Sequence, residues 1–121
     1  KYYVTHAAPT PVDAITTIRK AGGVAVIAHP FASRRGQIIT ASTFSDLVAA
    51  GLNGIEVHHR DQNAQEQATL TTIAQELNLV MTGSSDYHGT GKLNALAENT
   101  THQAQWEQLE SLADARRVVK K

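Results

Sequence analysis

Apolar residues fall into two patterns along this chain: short continuous runs and stripes at helical spacing. Three runs are too short for helices and contain β-forming residues, namely 24–28 (VAVIA), 54–58 (GIEVH) and 79–82 (LVMT). Runs of this length bounded by turn residues are typical of strands buried on both faces. Three such strands are therefore predicted, recurring every ~25 to 30 residues, which is the size of a βαβ unit.

Helical stripes with recognisable end signals precede, separate and follow these strands. The predicted helices run from Thr10 to Gly22, from Ser42 to Gly51, from Asn63 to Asn78, and from Thr100 through Leu112. Asn63 and Glu66 match a capping box, and Asn78 suits a left-handed stop. The order αβαβαβα predicts an α/β fold with parallel strands and connecting helices. Its strand carboxyl ends should emerge at one edge, where ligands of such sheets bind.

Composition and charge narrow the function classes. The chain has 121 residues, 41% of them hydrophobic and 18% charged, which fits one folded domain. Eleven Lys and Arg balance eleven Asp and Glu, so no global field attracts a nucleic-acid duplex or an anionic membrane, and any phosphate binding must be local. The absence of cysteine excludes disulfides and thiol nucleophiles and is compatible with the cytoplasm. No apolar run approaches the ~20 residues of a membrane span, so we expect no membrane partner.

Four of the six histidines follow predicted strands. His29 ends the first strand, His58 and His59 end the second, and His88 follows the third together with Asp86. Imidazole and carboxylate groups are suitable ligands for Zn, Mn or Fe. A single histidine at a strand end is more often structural, and Asp86 alone could brace a turn. The joint pattern at one sheet edge is what favours a metal hydrolase.

Glu56 is a carboxylate inside an apolar strand. Its burial costs several kcal/mol unless the group is paired or faces a polar space. By strand alternation it shares a face with His58. The sequence leaves two interpretations open, a role that supports the site and a structural salt link.

Loop cations follow the first and third strands. Arg34, Arg35 and Lys92 could each reach a phosphate at the same edge, and the alternative for each is a solvated loop charge. The string HGTGK lacks the spacing of a phosphate-binding P-loop. No GxSxG string is present, which disfavours a serine hydrolase.

Three strings, GGVAVIAHP, GLNGIEVHH and VMTGSSDYHGTGK, resemble the C-terminal part of PHP-domain (polymerase and histidinol phosphatase) metal-dependent phosphoesterases. The resemblance runs from about Tyr2 to Thr100 and is nearest to the branch that hydrolyses nucleoside 3′,5′-bisphosphates and trims the 5′ ends of oligonucleotides. It implies a distorted (β/α)7 barrel with a site for up to three metal ions, Mn, Zn or Fe. Residues 1–121 would form its last three β/α units, the C-terminal portion of the domain.

The same resemblance assigns residues to roles. It implies that His29, Asp86 and His88 bind metal and that Arg35 and Lys92 lie near the substrate phosphate. Glu56, His58 and His59 remain possible supports of the site. The HxH motif that opens the family, with its further ligands, is absent from these residues. The chain also begins with Lys1 rather than Met, so we expect a fragment. Without the missing ligands, we expect this fragment to be inactive alone and to hold metal ions weakly or not at all.

Two function classes remain open for the parent protein. One is a cytoplasmic phosphoesterase acting on nucleotides or short oligonucleotides. The other is a non-catalytic module of similar shape that binds phosphate or a nucleotide, or regulates another domain. In either case an unpaired sheet edge predicts self-association.

Overall fold

The predicted order αβαβαβα is the observed one along residues 8–33 and 39–113, the parts of the chain that the computed structural model describes. The helices are α1 (Pro11–Lys20), α2 (Thr43–Ala49), α3 (Ala64–Glu76) and α4 (Gln103–Ser111). The strands are β1 (Val26–Ile27), β2 (Gly54–His58) and β3 (Val80–Gly83). A single 3-10 turn, Gly89–Gly91, interrupts the loop after β3.

The three strands form one parallel sheet in the order β1-β2-β3. This confirms the predicted α/β class and brings the carboxyl ends of all three strands to one edge. β1 is shorter than the predicted run 24–28 because side chains replace its backbone partners at both ends. The Ala25 N–H donates to Asn53 Oδ1 at 3.0 Å, and the His29 N–H donates to Glu56 Oε2 at 2.8 Å.

Helix boundaries follow local capping signals in two of the four helices. Thr10 Oγ1 accepts the Asp13 N–H at the start of α1, and a complete capping box begins α3. Asn78 adopts the predicted left-handed conformation, with a φ of 53°. Ser42 lies at the start of α2 without capping it through its side chain. The predicted Thr100 cap of α4 is wrong, because His102 is the N-cap residue.

The core lies between the sheet and helices α2 and α3. Its fully buried members come from all three elements: Phe44, Leu47, Ile55, Val57 and Leu70. In α3 the predicted stripe is buried at Leu70, Ile73 and Ala74. This packing holds β2 at the centre of the sheet, and His59, which directly follows β2, is fully buried.

The two outer edges of the sheet differ. At β3, side chains of α4 and its leading loop occupy the edge: Gln105 Oε1 accepts the Met81 N–H at 2.7 Å, and Thr101 Oγ1 accepts the Gly83 N–H at 3.1 Å. At β1, no strand of the described residues pairs with the outer edge, and Val26 is 37% exposed. The exposed edge predicted from sequence is therefore that of β1.

Among the described residues, no helix has the length and apolar character needed to cross a membrane.

Candidate metal centre

Four of the predicted site residues meet at the carboxyl edge of the sheet. Donor atoms of His29, Glu56 and His59 all lie within 4.8 Å of one another. Asp86 Oδ2 lies 3.8 Å from His59 Nε2, which links the ends of β2 and β3. His29, Glu56, His59 and Asp86 therefore form one continuous cluster of nitrogen and oxygen donors.

His29 enters this cluster through an unusual backbone conformation. Its φ is 30°, a region that non-glycine residues rarely adopt. Strained backbone of this kind is concentrated at functional sites, where surrounding contacts hold it in place. Here the carboxylate of Glu56 accepts the His29 N–H, and Glu56 is only 8% exposed. Glu56 therefore positions the backbone of His29.

His59, rather than His58, joins Glu56 and His29. The strand alternation that assigned His58 to the face of Glu56 fails because the β2–β3 ladder is irregular at this point. Glu56 pairs with Thr82 and His58 pairs with Gly83, which leaves Val57 as an extra residue in β2. Such bulges redirect the side chains that follow them and are common beside active sites.

His59 is the most enclosed member of the cluster. Its exposure is 0%, and its ring lies 4.8 Å from the ring of His29. Its Nδ1 accepts the Asp61 N–H at 3.2 Å. Its Nε2 is buried and has no hydrogen-bond partner among the described residues.

The loop after β3 presents Asp86, His88 and Lys92 together. Asp86 also has a positive φ, 48°. Lys92 Nζ donates to Asp86 Oδ2 at 2.5 Å, and His88 Nδ1 lies 3.4 Å from Asp86 Oδ1. Asp86 and His88, which are two residues apart, therefore lie side by side, and Lys92 joins them.

The hydrogen bond of His88 fixes which of its nitrogens is available. His88 Nδ1 lies 2.7 Å from the backbone carbonyl oxygen of Asp86, and because a carbonyl only accepts, Nδ1 must carry the proton. The lone pair then resides on Nε2 of a side chain that is 57% exposed. Histidines that bind metals commonly donate their other ring N–H to a carbonyl in this way.

Two buried amides that hold the site carry no sequence signal. Gln62, 3% exposed, accepts the Phe31 N–H and donates to the carbonyls of Glu56 and Val57, tying the ends of β1 and β2 together. Asn94 donates to the Ser85 carbonyl at 2.7 Å. Gln62 directly precedes the capping box of α3, which was recognisable, but its burial depends on tertiary contacts.

The loop cations are placed only in part. Lys92 lies against Asp86, while Arg34 and Arg35 fall outside the described residues. A further cation, Arg60, donates to Asn94 Oδ1 at 3.1 Å and lies 3.5 Å from a Glu98 oxygen, so it braces the loop after β3.

The donor chemistry of the cluster fits a divalent ion. Imidazole nitrogens and carboxylate oxygens from three strand ends are the ligand types that Zn, Mn and Fe accept. His88 has an available Nε2, and Asp86 already attracts a cation in Lys92. The residues present therefore agree with a metal centre, without selecting one metal.

Comparisons with known proteins agree with this geometry. The chain is 42% identical over 77 residues to a phosphoribosyl 1,2-cyclic phosphate 1,2-diphosphodiesterase of Eggerthella lenta. This alignment covers 64% of this chain and 28% of that protein. It is 33% identical over 90 residues to a 3′,5′-nucleoside bisphosphate phosphatase of Chromobacterium violaceum. That alignment covers 74% of this chain and 32% of the relative. The chain thus spans less than a third of these relatives. No family model matches it.

Solved structures give the same result. A Bifidobacterium adolescentis protein described as a metal-dependent phosphoesterase superimposes with a TM-score of 0.85 and 34% identity, over 93% of this chain and 40% of that one. An amidohydrolase from Chromobacterium violaceum, with bound sulfate and no metal, gives a TM-score of 0.64 and 28% identity, over 95% and 43% of the two chains. These comparisons confirm the resemblance found in the sequence: the chain is homologous to part of the metal-dependent phosphoesterases.

Proposed function

We propose that the protein containing this chain is a divalent-metal-dependent phosphoesterase that hydrolyses phosphate esters of nucleotides or short oligonucleotides. The observation that carries the proposal is the meeting of His29, His59, Asp86 and His88 at the carboxyl edge of a parallel sheet. Ligands of α/β folds bind at this edge. Both curated relatives are named as phosphoester hydrolases of ribose-containing substrates.

In this proposal His29, Asp86 and His88 hold the metal ions. Divalent ions, when bound, polarise phosphoryl oxygens and make water a stronger nucleophile at neutral pH. The chain contributes orientation: Glu56 fixes the backbone of His29, and the Asp86 carbonyl holds the ring of His88 through Nδ1, which leaves the lone pair on Nε2. Mn, Zn and Fe all suit these ligands.

Lys92 supplies positive charge for the substrate phosphate. Its ammonium group lies beside the Asp86 carboxylate, at the mouth of the centre, and its side chain is 34% exposed. A phosphate bound there would accept from the same ammonium group through a charge-assisted hydrogen bond. Arg35 would be the second phosphate-binding cation, as the resemblance implies.

An open depression beside Asp86 and His88 is large enough to hold a nucleotide. Its volume is about 590 Å³, and it is lined by the loop after β3, including the exposed side chain of Tyr87. Small-molecule sites commonly have volumes of about 300–1,000 Å³. Tyr87 provides an aromatic face on which a base can stack.

Residues 1–121 would be the C-terminal portion of a barrel whose remaining strands supply the other ligands. A three-metal site needs on the order of nine protein ligands, since each hydrolytic ion takes about three. His29, Asp86 and His88 supply only a minority of them, so the 121-residue chain alone should bind metal weakly and hydrolyse nothing. Turnover by this chain with Mn²⁺ and a nucleoside 3′,5′-bisphosphate, at the rate of the full-length protein, would contradict this.

The test uses the full-length protein with bound metal quantified. Hydrolysis of nucleoside 3′,5′-bisphosphate, ribose cyclic phosphate and a short oligonucleotide is measured with Mn²⁺, Zn²⁺ and Fe²⁺, for the wild type and for His88→Ala. We expect hydrolysis of at least one substrate, loss of that activity in His88→Ala, and a lower metal content. A wild type that holds metal but hydrolyses none of them would refute the proposal.

The second candidate is a non-catalytic phosphate-binding or nucleotide-binding module. Lys92 favours it, because the Lys92–Asp86 pair gives the centre a cation without a metal, and the metal-free amidohydrolase neighbour holds a sulfate. Tight phosphate binding in the presence of a metal chelator, with no hydrolysis when metal is added, would support the non-catalytic module. An HxH motif upstream in the parent protein would support the enzyme.

Self-association would use the outer edge of β1. This edge has no strand partner among the described residues, and exposed Ile18 and Val26 share a surface pocket there. Unpaired strand edges readily pair with another chain. Sedimentation of the 121-residue chain should show dimers that a proline at Val26 abolishes. The cysteine-free composition agrees with a cytoplasmic location for the parent protein.

A further inference from the structure

His59 is a buried polar residue to which the proposed reaction assigns no role. Its exposure is 0%, and its Nε2 has no hydrogen-bond partner within residues 8–33 and 39–113. An unsatisfied buried polar atom destabilises the folded state, and in native proteins such atoms are rare enough to need an explanation. The protonation of His59 Nε2 and its nearby carboxylate explain why this atom is left without a partner among the described residues.

The proton of His59 can be located from its other nitrogen. Nδ1 lies 3.2 Å from the Asp61 backbone nitrogen, and because that N–H only donates, Nδ1 must accept. A neutral imidazole with an accepting Nδ1 carries its hydrogen on Nε2. Nε2 of His59 is therefore a hydrogen-bond donor, and it has no lone pair with which to bind a metal ion.

The carboxylate of Asp86 is an acceptor close to this donor. Its Oδ2 lies 3.8 Å from Nε2, so an approach of about 0.9 Å would form a hydrogen bond of ordinary length. Oδ2 already accepts from Lys92, but a carboxylate oxygen can accept two hydrogen bonds. The His59 ring also packs against the ring of His29.

We propose that His59 is a positioning residue that keeps its hydrogen on Nε2 and donates it to Asp86 Oδ2, orienting the carboxylate toward the metal centre without binding metal itself. The inference rests on the proposed function, since Asp86 is a metal ligand only in that proposal. It explains why a buried donor is left unpaired: its acceptor reaches it when the carboxylate is drawn into the centre.

Two substitutions separate the two nitrogens of His59. His59→Asn keeps an acceptor near the Nδ1 position for the Asp61 N–H and removes the distal donor. His59→Gln keeps an amide N–H₂ near the Nε2 position. Losing a partner that orients a metal ligand typically weakens metal affinity by about 10- to 100-fold. We therefore expect zinc affinity of the full-length protein to fall by about that factor in the Asn variant and by less than about threefold in the Gln variant.

The control is His102→Asn, the same chemical change at the exposed N-cap of α4, which should leave zinc affinity unchanged. Affinity is measured by competition with a chelator, and thermal unfolding of each variant shows whether it folds. Nitrogen-15 NMR of the zinc-loaded wild type reads the His59 ring directly, and we expect Nε2 to remain protonated. This signal does not depend on either variant folding.

The outcomes separate the inference from the proposed function. An His59 Nε2 that loses its proton on zinc addition would show a ligand instead of a donor, and would overturn the inference alone. Equal zinc affinity in the Asn variant and wild type, or equal loss in the Gln and Asn variants, would also overturn it alone. A wild type that binds no zinc would overturn the proposed function, and the inference with it.

Discussion

The ends of β2 and β3 each carry a histidine beside Asp86, and the two rings hold their protons on opposite nitrogens. At the end of β2, His59 is fully buried, accepts at Nδ1 and has its hydrogen on Nε2. In the loop after β3, His88 is mostly exposed, donates from Nδ1 and has its lone pair on Nε2. One ring can donate to the carboxylate and the other can bind a metal.

The difference comes from the backbone partner of each ring. Asp61 offers an N–H to His59, whereas Asp86 offers a carbonyl oxygen to His88. The residue type is the same, so the local turn decides whether each imidazole is a donor or a ligand. Counting histidines at a sheet edge therefore indicates a site but does not distribute the roles within it.

The largest effect is expected from Asp86→Asn, because both histidines converge on this carboxylate. The change keeps the shape and removes the charge, so zinc affinity of the full-length protein should fall by more than about 100-fold, beyond the loss of an orienting partner. Chelator competition measures it, with Asp46→Asn in the exposed first turn of α2 as the matched control. Retained zinc affinity would show that Asp86 is not a ligand.

Gly83→Ala should separate the two strand ends. A Cβ at Gly83 would lie 2.6 Å from the Thr100 carbonyl oxygen and 2.8 Å from His58 Cβ, so backbone must move. Overpacking of this kind costs about 1–3 kcal/mol of unfolding free energy, measurable by urea denaturation. Gly91→Ala, where a Cβ meets nothing within 4 Å, is the control. Equal stability of the two variants would contradict the tight packing at Gly83.

Glu56→Gln tests whether the β2 end acts through hydrogen bonding. Glutamine keeps an oxygen that can accept the His29 N–H, so the zinc affinity should change by less than about threefold. Hydrogen bonds to charged groups exceed neutral ones by about 1 kcal/mol, so unfolding free energy should fall by about that amount. A zinc affinity lowered by more than about 100-fold would instead make Glu56 a ligand.

Lys92→Met should have the smallest effect and the opposite sign. The ammonium group competes with a metal ion for Asp86, so its removal should raise zinc affinity. Partly exposed ion pairs are worth about 0.2–1 kcal/mol, which corresponds to a gain of less than about fivefold. Phosphate affinity, measured by calorimetry, should fall at the same time. A fall in both affinities would show that Lys92 supports the loop instead.

Local sequence signals predicted the strands and helices that surround this site. The buried runs, the capping box at Asn63 and the left-handed Asn78 depend on neighbouring residues, and they placed the histidines at the correct sheet edge. What they missed depends on contacts between distant segments. The bulge at Val57 substitutes His59 for His58, and the buried amide of Gln62 joins two strand ends. Neither the bulge nor the buried amide can be predicted from the hydrophobic periodicity of a single strand.

The two edges of the sheet differ in how readily a further strand can pair with them. The N–H groups of Met81 and Gly83 are already bonded to side chains of α4 and its leading loop, whereas the outer edge of β1 has no strand partner among the described residues. A parallel strand added there would end next to His29. New ligands would therefore reach the centre from the side of His29, while Asp86 and His88 close it from the opposite side.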